Sequence, residues 1–533
     1  MIKKAIAFFF LLIIVWIGIN LRINKIMENL WWIDGARDVY VARKMHEEGK
    51  FLFIAPAAGG GGGLIGNSPL YYWILKTVWE IMPTPEGIVF FFTLIGIFTI
   101  LLSYFLGKTF LNSIIAGLMI TALVSFNFIF ILYSRQVFQP HLIPLIVTII
   151  LLALFLAIKK KSYIWMSVAC LAYFIGVNIH YSILMIAPAF LFWFFSFIYK
   201  NLKINSKKSL FLNLLLIIEA TILFITWQIL ILKTGSRNFF DYLFFQLKID
   251  TISSNYPYSP VLLLDYLFAY SEGLINNRNF LFILPICKIT EQAWIIFKYI
   301  IYLSIPIALL RIYYVRNKIY FSYLFVASFY LCSLFFFIFK NPYQSSSVEL
   351  FYFAPFLIIL MLAITQILYF LFSKNMVWGL IYLLILLFSS KKVVVNDWKD
   401  SLEYNGVAHL SQVLFNYHQE TFGDFTPFYI FTHTNRHSPM VAEAAYVDSI
   451  ERQFSLNISK LKTDGYNISQ KESNNSANYL ICDQYSIDSD IEASRVDCFT
   501  QISKHQNFEI LSYKSILVQP WSSIYSIEIV KDS

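Results

Sequence analysis

Residues 31–75 read WWIDGARDVYVARKMHEEGKFLFIAPAAGGGGGLIGNSPLYYWIL, a charged island in a chain that is otherwise hydrocarbon for hundreds of residues. From Asp34 to Glu48 the spacing predicts a helix, with Gly49 placed to end it because glycine takes the left-handed conformation a helix C-terminus favours. Asp34 and Asp38 are four residues apart, so both carboxylates sit on one helix face with Arg37 beside them. Trp31 and Trp32 suit a membrane–water boundary. A purely structural alternative has Asp34 capping the helix N-terminus and Asp38 pairing with Arg37. The run AAGGGGG (57–63) is too rich in glycine to pack; it serves as a lid or substrate loop, or only as a linker. The segment Pro69–Met82 (PLYYWILKTVWEIM) carries Lys76 and Glu80 and is too short to span a bilayer, so it is expected as an interfacial helix. Its Tyr71 and Tyr72 either stack on a sugar or face lipid.

What surrounds this stretch is membrane. The chain has 533 residues, 58% of them hydrophobic and only 14% charged, with a mean hydropathy of +0.63. Soluble domains are about 25% charged, so an ordinary cytosolic enzyme is excluded. A helix needs about 20 apolar residues to cross the hydrocarbon. The first run, AIAFFFLLIIVWIGINL (5–21), follows MIKK. A signal peptide would start the same way, but no small-residue cleavage site follows, so an uncleaved first helix is expected. Further runs near 87–106, 114–133, 142–158, 163–179, 182–199, 210–232, 293–310, 319–339, 351–371 and 376–390 bring the expectation to about eleven spans.

The net charge of +9 resolves into two parts. Residues 393–533 hold 10 basic and 18 acidic side chains, and residues 1–392 hold 31 basic and 14 acidic ones. With the N-terminus inside, Lys108, Lys159–Lys161, the stretch 201–208, the stretch 311–318 and Lys374 all fall on the cytoplasmic side. One register therefore satisfies the positive-inside rule five times. The basic balance is a topology signal, and no nucleic-acid partner is expected. Residues 22–85, 134–141 and 234–292 then lie outside, as does the acidic tail 391–533. That tail has short runs of strand type, FTPFYIFT and SILVQPWSSIYSIEIV, and is expected to be a small soluble α/β or β-rich exported domain. Cys482 and Cys498 make a disulfide plausible there, and sequons stand at Asn457, Asn467 and Asn474. There is no internal repeat, Walker loop, CxxC or HExxH.

Ionisable residues inside the membrane part are few. Arg135 lies in a short outer turn with Gln139 and His141; it either meets an anion or snorkels to headgroups. The other outer cations are Arg237, Lys248, Arg278 and Lys288. His180 and Tyr181 occupy another outer turn, where a packed helix-end histidine is the commoner outcome. Glu219 lies mid-span, a functional candidate by default but expected to be protonated or paired. His433 and His437 have ligand-like spacing on a strand-rich segment, which is poor support for zinc.

The motif DGARDVYVARKM, a gap, then SPLYYWIL resembles the first outer loop of the GT-C membrane glycosyltransferases. The branch it is most similar to includes the protein O-mannosyltransferases and the aminoarabinose transferase of lipid A. YSRQVFQPHLIP (133–144) and GVNIHYSILMIAP (176–188) extend the likeness more weakly. The resemblance implies a GT-C helical bundle over 1–390, with the exported domain over 391–533. It implies transfer of a sugar from a polyprenyl-phosphate-linked donor to an acceptor hydroxyl on a lipid, protein or glycan. Asp34 then matches the acidic residue that acts as, or positions, the base, and Asp38 matches the subset whose motif runs D-x-x-R-D. Many relatives carry a second acidic residue directly after the first, where this chain has Gly35. A departing phosphate calls for cations, for which Arg135 and Arg37 are the candidates, with Tyr71, Tyr72, His141 and His180 toward the substrates. No metal ligand is assigned; some relatives need a divalent metal and others do not, so the resemblance leaves one open.

Two other classes compete. A flippase or transporter of lipid-linked glycans would show paired repeats and matching broken helices, neither of which is visible. A glycan polymerase or ligase has a similar number of spans, but generally places its largest outer loop late.

Overall fold

The computed structural model describes residues 2–23, 33–53, 68–202, 207–233, 305–314, 321–339 and 354–374, with shorter pieces of the tail at 413–414, 416–417, 420–421, 428–434, 477–483, 499–500, 508–518 and 522–531. These residues fall into two compact units. The first comprises Met1–Ile26 and Lys50–Asp397, the second Met27–Gly49 and Trp398–Ser533.

The first unit is a helical bundle. Its helices are α1 (Ile2–Ile23), α3 (Leu70–Ile81), α4 (Pro85–Leu111), α5 (Ile114–Phe126), α6 (Phe128–Tyr133), α7 (Ile143–Lys160), α8 (Tyr163–Ile179), α9 (Ala187–Leu202) and α10 (Lys207–Lys233). Beyond these come α11 (Ile305–Tyr314), α12 (Phe321–Phe339) and α13 (Ala354–Lys374). Among the described residues six helical stretches are long and apolar enough to cross a bilayer, from Ala5–Ile23 to Ala354–Ser373, and shorter apolar helices accompany them. The chain is an integral, multi-pass membrane protein.

Local chemistry sets many of the ends. Thr84 caps α4 by accepting from the Gly87 amide at 3.0 Å, with Pro85 pre-set for the first turn. Asn112 and Lys161 end α4 and α7 in the left-handed region, with φ of 49° and 53°. Helices α4 and α5 pack through small residues: a Cβ on Gly107 would lie 2.6 Å from the Ala116 carbonyl oxygen, and one on Gly117 would lie 2.9 Å from the Tyr104 ring. Such close approach supplies van der Waals contact that lipid cannot match. The expected single span 114–133 is broken instead. Asn127 is extended between α5 and α6, with φ −69° and ψ 127°, and its Oδ1 accepts from the Phe130 amide at 3.4 Å, restarting the helix.

Helix α10 is largely uncovered by protein and is tied to α8 by polar contacts in its first half. The Tyr163 hydroxyl donates to Asn213 Oδ1 at 3.1 Å, and Ser167 donates to Glu219 at 2.5 Å. The mid-span carboxylate is thus paired, as expected.

The second unit holds α2 (Ile33–Glu47) and a four-stranded sheet of β1 (Phe428–Thr434), β2 (Ala477–Asp483), β3 (Phe508–Val518) and β4 (Ser522–Lys531). The strand order is β1-β2-β4-β3. β1 and β2 are parallel, in register from Phe428↔Ala477 to Thr434↔Asp483. β4 is antiparallel to both β2 and β3, so both ends of the run SILVQPWSSIYSIEIV lie in paired strands. Tyr479, Tyr525 and Ile527 are buried in this sheet, and Phe499 packs its ring 5.1 Å from those of Tyr513 and Tyr525. Burial, with Tyr417 close by, pushes the Tyr479 phenol above its ordinary value. The expected Cys482–Cys498 pairing, the three sequons, the Gly-rich run 57–63, the loop 234–292, the His437 side chain and the span 376–390 lie outside the described residues.

Candidate active site

Helix α2 begins one residue before the expected start and ends as predicted. Gly49 is left-handed (φ +63°), its amide bonds the His46 carbonyl at 3.0 Å, and the Glu48 amide bonds the Lys44 carbonyl at 3.0 Å. Asp34 stands in the first turn, where the helix dipole favours a negative charge. Asp38 follows one turn later on the face that carries Ala42 and Met45, and all three side chains are buried. Gly35 lies on the buried side as well. The opposite face is ionic: Glu47 accepts from Arg43 at 2.7 Å and from Lys44 at 2.9 Å. Partial burial pushes the Glu47 carboxyl up, but the hydrogen bonds from Lys44 and Arg43 outweigh it and hold the group below its ordinary value.

In the first unit, Arg135 closes the turn after α6. Its amide bonds the Leu132 carbonyl at 3.0 Å, and its Nη1 donates to the Leu21 carbonyl of α1 at 3.4 Å. The side chain is 1% exposed. Thr93 of α4 donates to the Ser134 carbonyl at 2.9 Å, which joins the turn to a third helix. The 3₁₀ turn Gln139–Leu142 follows. There His141 stacks on Tyr133, with centroids 4.1 Å apart and planes inclined by 19°, and its Nδ1 lies 3.0 Å from the Gln136 carbonyl. A carbonyl only accepts, so Nδ1 carries the proton in the neutral ring and Nε2 presents a lone pair.

His180 is set the other way round. Its Nδ1 accepts from the Ser182 amide at 3.2 Å and lies 2.8 Å from Ser182 Oγ, so the proton of the neutral ring sits on Nε2. The histidine thereby caps the 3₁₀ turn Tyr181–Ile186. On α3, Tyr71 and Tyr72 are both buried, their rings 5.4 Å apart. Lys76 of the same helix is buried, pairs with Glu80 and covers the Phe51 ring at 4.1 Å. Trp73 donates to the Leu52 carbonyl at 2.9 Å and takes Phe53 edge-on at 5.3 Å. Residues 51–53 are therefore held against α3. Both α3 and the turn Gln139–Leu142 pack against α8.

The structure thus assigns Arg135 and His141 to the connection between α6 and α7, Tyr71 and Tyr72 to one helix, and His180 to the end of α8, all in the first unit. Asp34, Arg37 and Asp38 share α2 in the second. Sequence reasoning missed Arg22, which is fully buried at the end of α1; an arginine closing a 17-residue apolar run was the available signal. It also missed a cavity of about 330 Å³ between α8, α9 and α10, lined by hydrocarbon from Tyr173, Phe174, Phe190, Phe194, Leu223 and Trp227. Such a cavity fits a hydrocarbon chain. Among the described residues no three His, Cys, Asp or Glu side chains group as metal ligands do.

At the level of sequence, no protein-family model and no characterised protein matches the chain. Solved structures do. The aminoarabinose transferase ArnT from Cupriavidus metallidurans in the apo state superposes with a TM-score of 0.55 at 11% identity, over 99% of this chain and 98% of that one. The same protein bound to undecaprenyl phosphate gives 0.52 at 10% identity, over 98% of each chain. The fold is of the GT-C type. The Archaeoglobus fulgidus oligosaccharyltransferase AglB, in complex with an inhibitory peptide and a dolichol-phosphate, gives a TM-score of 0.45 at 11% identity, over 90% of this chain and 70% of that one. In this chain α2 follows the first apolar helix and carries both aspartates of the motif.

Proposed function

We propose that the chain is a membrane glycosyltransferase that moves a sugar from a polyprenyl-phosphate-linked donor to an acceptor hydroxyl on the outer face of the membrane, with inversion. The observation that carries this reading is the GT-C fold running end to end, matched over 98% of an ArnT chain bound to undecaprenyl phosphate. The N-terminus is cytoplasmic, residues 1–390 form the transferase domain, residues 391–533 form an exported domain, and the acceptor is a lipid, a protein or a glycan.

The chemistry follows from the leaving group. The bond between the sugar anomeric carbon and the phosphate oxygen breaks, and the electron pair leaves with polyprenyl phosphate. The acceptor oxygen bonds the same carbon from the opposite face, and its proton passes to the Asp34 carboxylate. A phosphate is a good leaving group, so stabilising cations matter more than a strong general acid. Arg135 and Arg37 meet the departing phosphate, Asp38 supports Asp34 one helical turn away, and Tyr71, Tyr72, His141 and His180 orient sugar and acceptor. The hydrocarbon cavity beside α10 seats part of the isoprenoid chain.

Asp34→Asn tests the assignment: sugar transfer in isolated membranes is abolished while expression and insertion stay at wild-type levels. Normal transfer by that variant sinks the base assignment. Acceptor-dependent release of free polyprenyl phosphate from a radiolabelled donor separates a transferase from a flippase, which releases none.

A further inference from the structure

Arg22 closes α1, a helix that is otherwise mostly uncovered by protein, yet its own side chain is fully buried. Its Nη1 donates to the carbonyls of Gly18 at 2.9 Å and Ser125 at 3.0 Å, and its Nη2 donates to that of Val124 at 3.0 Å. Among the described residues no carboxylate pairs with it. Val124 and Ser125 belong to the last turn of α5, where carbonyls have lost their helical partners and carry the negative end of the helix dipole. The guanidinium therefore takes the place of the missing amide donors at the break that Asn127 makes between α5 and α6.

The neighbours of Arg22 lead directly to Arg135. Arg135 donates to the carbonyl of Leu21, the residue before Arg22. Ser134, the residue before Arg135, packs on Gly96 so closely that a Cβ there would lie 2.4 Å from its Cβ and 3.2 Å from Arg22 Nε. Arg22, Gly96, Ser134 and Leu21 thus make one contiguous support under the turn. A guanidinium presents several donors in a fixed plane, so it holds two helices in one relative geometry, which a lysine ammonium does not.

We infer that Arg22 is a positioning residue: by binding the terminal carbonyls of α5 it fixes the α5–α6 break and so sets where Arg135 presents its charge. The role assigned to Arg135 rests on the proposed transferase reading; the clamp itself does not.

The test uses the full-length protein in detergent and two measurements. In hydrogen–deuterium exchange, Arg22→Gln speeds exchange across residues 124–142 and leaves α7 beyond its first turn, and α8, at wild-type rates. Unchanged exchange at 124–142, or an equal rise in every helix, overturns the clamp. In a binding cycle with undecaprenyl phosphate, Arg22→Gln weakens binding about tenfold, the loss expected when a charge-assisted hydrogen bond is misplaced. Arg22→Lys, which keeps the charge but not the fork, falls between, and adding Arg22→Gln to Arg135→Gln costs nothing further. Additive losses overturn the claim that Arg22 acts through Arg135. If the wild-type protein does not bind undecaprenyl phosphate, the transferase reading falls, and the exchange measurement decides the clamp by itself.

Discussion

Replacing Gly96 by alanine separates close packing from backbone freedom at the support of the Arg135 turn. The new Cβ would sit 2.4 Å from Ser134 Cβ, about 1 Å inside ordinary van der Waals contact. The atom it meets is attached to backbone, so no side-chain rotation relieves the crowding, and α4 must move away from the turn. Overpacking of this kind costs about 1–3 kcal/mol. The assay is thermal unfolding of the detergent-solubilised protein, run beside two companions. Gly96→Ala combined with Ser134→Gly removes the opposing Cβ and recovers most of the loss. Gly49→Ala meets no atom within 4 Å but must hold a φ of +63°, so it costs about 1 kcal/mol through the backbone alone and is not recovered by Ser134→Gly. A Gly96→Ala protein that melts with the wild type, or one that Ser134→Gly fails to restore, refutes the reasoning.

Trp73→Phe keeps the edge-on contacts with Phe51 and Phe53 but loses the indole bond to the Leu52 carbonyl, at about 0.5–1.5 kcal/mol. Limited proteolysis near residues 51–53 is expected to quicken while α4 keeps its protection. Glu47 titrates below its ordinary value in the folded chain, so its contribution is complete above the ordinary carboxylate pKa and is lost as pH falls through the folded one. The side chain is 40% exposed, and solvent screening holds the contribution to about 0.2–1 kcal/mol. Exchange at the end of α2 should rise only below about pH 4.5, and Glu47→Gln should erase that pH dependence.

Much of the helical layout is legible residue by residue. Glycine at 49 and the apolar runs name the ends of α2, α7 and α8 to within two residues and those of α4 to within five. The reason is local: a cap satisfies amides a few residues away, and transfer of apolar side chains out of water is additive along the chain. The break at Asn127 was not legible, because hydropathy runs unbroken through it and the donors that stabilise α5 there come from an arginine about a hundred residues earlier. His180 was legible as a helix-end histidine; that it caps the next turn through Nδ1 required its ring orientation. Tyr71 and Tyr72 are buried on a helix that packs against α4 and α8, elements outside its own sequence.

The sequence by itself determined that this is a membrane protein with charged residues concentrated after its first span. It also placed two carboxylates on one helix turn, because period, caps and charge are properties of short stretches. Only the tertiary structure decided which apolar faces meet protein and which meet lipid. A lipid tail is as apolar as leucine, and hydrophobicity cannot tell the two apart. The same holds for Arg22, whose position in the sequence is that of an arginine reaching for headgroups. Its burial follows from carbonyls that only the folded α5 leaves without partners.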